Sequence, residues 1–182
     1  DKTKAYEIRI QAQISQNKLL EAVKAAVRIL RLFGVYFPEK PGKLKILLSL
    51  IKTKLALTDK RIEGLNKLPE MRDPHRLATM GIIAITGSPA YFALPDLVPL
   101  IVFKGIDFSV KYGNTSFSAF AYAGYGLMLC GVVGDIETGY QFGKLALSVL
   151  ARLDANEQKA KIFHVVYTCV RHWKEHNKEA LQ

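Results

Sequence analysis

Cysteine is nearly absent: Cys130 and Cys169 are the only two in 182 residues, and they lie far apart in sequence. That excludes a disulfide-stapled scaffold and suits a reducing, cytoplasmic compartment. Acidic residues are also scarce, with 16 Asp and Glu against 26 Lys and Arg, a net charge of +10. No segment alternates apolar and polar residues long enough to argue for a sheet. No basic stretch followed by an apolar core and a cleavage site marks a signal peptide. No phosphate-binding loop is present. Gly139 and Gly143 enclose three residues rather than four, and Leu145 follows Lys144 where Ser or Thr is required. Asp, His and Ser do not cluster as a nucleophilic triad. Nothing here calls for a cofactor, and the chain reads as non-enzymatic.

What is present is folded-protein composition, 49% hydrophobic and 23% charged. The positive charge is concentrated. Residues 1–61 hold 14 Lys and Arg against 5 Asp and Glu, whereas residues 62–135 hold 5 against 6. A solvated face, or contact with an acidic neighbouring domain, is the simplest reading. Nucleic acid or anionic membrane is the alternative, with residues 18–61 as the binding element. No nucleic-acid recognition motif supports specific binding of that kind.

Helix punctuation is clear. The pattern predicts helices over 3–14, 18–33 and 43–57, the last with Leu44, Leu47, Leu48, Ile51 and Leu55 on one packing side and lysines snorkelling beside them. A short helix precedes Pro69. Asp73 and Pro74 start a helix to about Ile85, as N-cap and first-turn proline. Ser88-Pro89 and Leu94-Pro95 predict two further starts, the latter ending at Gly113. Helices over 116–133, 135–152 and 156–179 complete the chain. Tyr112 to Gly134 is a run of 23 uncharged residues, long enough to span a bilayer. Its Gly and Ala content favours a buried helix instead.

Small residues recur on helix faces. Ala22 and Ala26 mark one such face, and Gly139, Gly143 and Ala146 another. They let a second backbone come close, as in stacked helical hairpins. The expected fold is all-α: antiparallel hairpins forming one TPR-like α-solenoid fragment over residues 1–182. Exposed aromatics on its turns or inner faces are candidate partner contacts: Tyr91, Phe92, Tyr122, Tyr125 and Tyr140.

His172-Trp173-Lys174-Glu175-His176 matches the H-x-x-E-H pattern of zinc hydrolases. On an ideal helix Cys169, His172 and His176 fall within about 60° of arc, a possible ligand face. Ile162 and Val165 share that face, however. An ordinary packing stripe of Ile162, Val165, Cys169, His172 and His176 therefore competes with the metal reading and is preferred to it.

Several segments together carry a family resemblance: Leu32 to Gly42 (LFGVYFPEKPG), Leu68 to Pro74 (LPEMRDP), Gly87 to Phe92 (GSPAYF), Ser118 to Ala123 (SAFAYA), Gly134 to Gly143 (GDIETGYQFG) and His172 to His176. The chain resembles the helical-repeat region of very large bacterial signalling kinases, whose plan fungal relatives share. In these a Ser/Thr-kinase-like domain and an AAA/STAND ATPase precede the repeats, and GAF or PAS sensors and a histidine kinase follow. The resemblance implies a scaffold or sensor-linker whose partners are other domains of the same polypeptide. It also implies that kinase and ATPase activities lie outside this segment, which carries no kinase catalytic loop and no Walker motif. The start at Asp1 and the apolar last helix, with Val166, Tyr167, Val170, Trp173 and Leu181, lead us to expect a piece of a longer array. Apolar surface left open on its last two helices would then drive self-association.

Overall fold

The computed structural model describes residues 2–58, 61–154 and 156–175, and it is all-α. The order is α1 (Lys2–Ser15), α2 (Leu19–Leu32), α3 (Lys43–Thr58), the short α4 (Ile62–Asn66), α5 (Pro74–Ala93), α6 (Val98–Tyr112), α7 (Ser116–Met128), α8 (Ile136–Arg152) and α9 (Lys159–Phe163). A 3₁₀ turn, Pro95–Leu97, leads into α6. A π-helical turn, Leu129–Val133, ends α7. The last helix is irregular: α9 runs on as the π-helix His164–Val170 and a 3₁₀ turn, Arg171–Trp173.

Local chemistry accounts for several boundaries. The Asp73 carboxylate accepts from the Arg76 amide at 2.9 Å, and Pro74 occupies the first turn. Thr115 accepts from the Phe117 amide at 3.1 Å, while its own amide donates to Ser118 Oγ at 2.9 Å, a reciprocal cap opening α7. Asp135 caps α8 by accepting from the Thr138 amide. One boundary is corrected. Pro89 starts no new helix but lies inside α5, buried next to Ala90. Core packing of that face outweighs the roughly 3 kcal/mol that proline costs in a helix interior.

Short connections make α6, α7 and α8 antiparallel neighbours, with α7 against α8 the most extensive contact. The core lies there. Tyr122, Tyr125, Phe142, Ile106 and Leu129 are among its fully buried side chains. Tyr125 packs edge-on against Phe142 at 4.8 Å between centroids and against Phe103 at 6.2 Å. Ala22, Val23, Ala26, Ile29 and Leu30 form the buried face of α2, which packs on α1 and α5. Other contacts join elements distant in sequence: α3 lies on α6 and α4 on α8. Asn66 Nδ2 donates to Ser148 Oγ at 2.8 Å, and Arg152 donates to the Leu68 carbonyl.

Asn114 is the buried hub of this closure. Its amide donates to Pro69 O and its carbonyl accepts from Met71 N. Its side chain donates to Leu65 O at 2.7 Å and accepts from the Tyr122 hydroxyl at 2.9 Å. Tyr122→Phe is expected to destabilise by about 1–3 kcal/mol, because Asn114 Oδ1 is left buried without that donor. A thermal melt unchanged by this substitution would show that the bond contributes nothing.

Two helices depart from the expected facing. In α3, Thr53 is buried and Ile46, Leu50 and Leu57 are half-buried against the body. Leu44, Leu47, Leu48, Ile51 and Leu55, expected to pack, are exposed. In this rotation Lys52 reaches Asp107 at 3.6 Å and Lys54 reaches Asp135 at 3.8 Å. In the last helix the buried row is Ile162, Val166 and Val170 rather than Ile162, Val165, Cys169 and His172. A π-helix takes more than four residues per turn, so four-residue steps stay near one face while three-residue steps swing away from it, whereas the 3, 4, 3 spacing of the expected stripe holds one face only on an α-helix. Of the apolar residues expected to lie open there, Val166 and Val170 are buried and Trp173 is exposed. Leu181 lies outside the described residues.

Candidate functional site

One face from each of four segments surrounds an apolar groove of about 370 Å³. From α5 come Met80, Ile83, Ala84, Gly87 and Tyr91, at the three- and four-residue steps of a single helix face. From α7 come Phe117, Phe120, Ala121, Gly124 and Leu127, with the same spacing. Val98, Ile101 and Val102 of α6 form a third wall, and Lys161, His164, Val165 and Cys169 close the fourth side. Gly87 and Gly124 let the walls approach closely, since a Cβ on Gly87 would lie 3.3 Å from the Phe120 ring and one on Gly124 3.1 Å from Val102 Cγ2. The groove's size falls in the range of small-molecule and side-chain binding clefts.

Tyr91 and Phe92 stand at the rim, 64% and 73% exposed, with rings edge to face at 5.2 Å. They are the two proposed partner contacts that the fold leaves available. Tyr122 and Tyr125 are core residues instead, because α8 covers that face of α7. Burial pushes the Tyr122 hydroxyl far above its ordinary range and Tyr125 up to about 12. Tyr140 is half-buried and already partnered. Its hydroxyl donates to Glu175, and the ammonium groups of Lys174 and Lys144 lie 5.1 and 5.8 Å from its ring centroid. The uncharged segment that invited a membrane reading forms one groove wall. Ser116–Val133 is long and apolar enough to cross a bilayer, and 56% of it is buried in this fold.

The small-residue positions are packed. Ala22, Ala26 and Ala146 are fully buried. A Cβ on Gly139 would lie 2.4 Å from Cys130 Sγ and 2.8 Å from Gly126 O, and one on Gly143 would lie 2.9 Å from Val170 Cγ1.

The H-x-x-E-H segment is described only as far as Glu175. Among the described residues no three His, Cys, Asp or Glu side chains come together as a ligand set, and His176 lies outside them. His172 is exposed and stacks on Trp173, while Cys169 faces the groove. Glu175 forms an ion pair with Arg171 and accepts from Tyr140. The Arg171 hydrogen bond first, then that from Tyr140, holds its carboxyl below the ordinary range, the wrong direction for a general base. Burial raises the Cys169 thiol and, with a smaller push from Asp135, that of Cys130, so neither is activated as a nucleophile.

The depressed Glu175 carboxyl has a pH consequence. Its contribution is complete above the unfolded glutamate pKa, about 4.3, and is lost as pH falls through the lower folded value. Trp173, the sole tryptophan, lies two residues away. Its fluorescence is expected to change on acidification below about pH 4, before global unfolding, and Glu175→Gln should abolish that step. An identical acid transition in the variant would place the change elsewhere.

A second cleft, about 950 Å³, lies between α2, the 36–41 loop and the Leu94–Leu97 turn. Lys24, Arg28, Arg31 and Lys40 give it a basic lining, offset by Glu39 and Asp96. It gathers part of the basic first third into one place.

Comparison of the chain with protein-family models, with curated proteins and with solved structures finds no match.

Proposed function

We propose that this chain is a non-catalytic helical binding module that couples neighbouring domains of a larger signalling polypeptide. The observation that carries the reading is the open apolar groove between α5, α6, α7 and the last helix, edged by exposed Tyr91 and Phe92. Binding energy in protein interfaces concentrates where a few anchors, often aromatic, enter well-packed desolvated pockets, and an apolar groove of this kind can receive one. An apolar anchor from an adjoining domain fits this cleft. Four segments meet there, so filling it biases how they sit against one another, which is a route from a docking event to a change in geometry. The TPR-like stacking belongs to the same proposal. The antiparallel run α5 to α8 supplies the repeat-like part, with α3 and α4 laid across it. Tyr122, Tyr125, Cys130 and Cys169 are shifted mainly by burial, and Glu175 is engaged in an ion pair with Arg171.

Hydrogen exchange tests this. The 182-residue chain is compared with the same chain carrying its natural flanking sequence. Amides of α5 and α7 around the groove should gain protection in the longer polypeptide, and Ala84→Phe, which fills the cleft, should remove the gain. Equal exchange in both polypeptides would overturn the reading.

A further inference from the structure

Two sides of α3 are apolar, and the fold buries only one. Leu44, Leu47, Leu48, Ile51 and Leu55 remain between 46% and 69% exposed. At the α-helical repeat these five occupy an arc of roughly 100°. Lys45 and Lys52 bound one edge of that arc, and Lys43 and Lys54 bound the other. The helix contains no acidic residue. Lys52 and Lys54 are steered by Asp107 and Asp135 of the body, whereas the exposed Lys43 and Lys45 lie at the start of the helix.

We propose that this face of α3 docks on an anionic lipid bilayer, with its leucines in the interface and its lysines at headgroup level. An apolar stripe with cationic flanks along both edges is the pattern of a helix lying in the membrane plane. The excess of basic residues in the first third adds long-range attraction to the same surface. Charge decides against a second copy. Pairing α3 with itself would set lysine flanks against lysine flanks, at the positions where paired helices place opposite charges. A nucleic acid would leave the central leucines without apolar contact. A protein would have to offer a groove with acids along both margins, whereas an anionic bilayer presents that environment to any straight helix of this kind.

The test is co-sedimentation of the 182-residue chain with phosphatidylserine-containing vesicles and with pure phosphatidylcholine vesicles. Binding is expected to the anionic vesicles, weaker by about tenfold or more to the neutral ones, and reduced by added salt. Leu48→Gln with Ile51→Gln removes apolar side chains that face solvent, so the melt should be unchanged while binding falls at least about tenfold. Lys43→Gln with Lys45→Gln should weaken binding and flatten its salt dependence. Binding that survives the double leucine-face variant overturns the proposal. So does failure to sediment with anionic vesicles at low salt. A dimer abolished by the same variant would then make a second copy the occupant, and a monomer would leave a protein partner.

Discussion

Replacing Gly113 with alanine is expected to lower the melting temperature by roughly 5–20 °C. Gly113 ends α6 at φ 104° and ψ 171°, a region that essentially only glycine occupies. Forcing a side chain there costs on the order of 1–3 kcal/mol of backbone strain. Sterics add to it. A Cβ at this position would lie 2.3 Å from the Pro69 carbonyl oxygen and 3.2 Å from the Met71 amide nitrogen. Those atoms belong to the strand-like contact in which Asn114 bonds Pro69 and Met71, so they are held from both sides. Relieving the overlap means lifting the 69–71 segment off the α6–α7 turn, a further 1–3 kcal/mol or so. Gly131 is the control. A Cβ there meets nothing within 4 Å, and Gly131→Ala should leave the melt within a degree or two. Equal melts for Gly113→Ala and Gly131→Ala would show that the turn relaxes freely.

A second large effect is expected at the crossing of α7 and α8. Gly126 and Gly139 face each other so closely that a Cβ on Gly139 would meet Gly126 O at 2.8 Å and Cys130 N at 3.0 Å. These are backbone atoms of a helix and cannot rotate away. Gly139→Leu should separate the two helices that carry the core and destabilise by about 3 kcal/mol or more, at the upper end of overpacking effects. Gly143→Leu should cost less, about 1–3 kcal/mol. The obstacle there is Val170 Cγ1 at 2.9 Å, a side chain on the last helical segment. Urea unfolding of both variants checks the order. A Gly143→Leu variant less stable than Gly139→Leu would place the tighter crossing at the last helix instead.

How much of this was legible in the chain varies by position. Asp73-Pro74 announces the start of α5, and the Asp73 carboxylate does cap it. The α2 face at Ala22, Val23, Ala26, Ile29 and Leu30 follows from spacing, because its other side is charged. The groove was half visible. Tyr91 and Phe92 could be singled out as aromatics near a turn, but the walls contributed by α6, α7 and the last helix come together only through long-range packing. Tyr122 and Tyr125 had the same local signature as Tyr91, yet α8 covers them. The only hint against them was their place in a long uncharged run.

The amino-acid sequence by itself determined the helical class, most helix ends and the positions where backbones must approach closely. Those depend on backbone preferences, caps and side-chain size, which act over a few residues. Tertiary structure alone decided which apolar face of α3 is covered, which aromatics remain available and where the last helix places its stripe. In α3 both faces are apolar, and the side that periodicity assigned to packing is the one left exposed. The face that fits against α6 is the one carrying Ile46, Leu50, Thr53 and Leu57. In the last helix a π-helical stretch moves the packing row from Val165 and Cys169 to Val166 and Val170, so that Val170 lies against Gly143. A local pattern fixes the side chains available to each surface. The shape of its neighbours determines which of them turns inward.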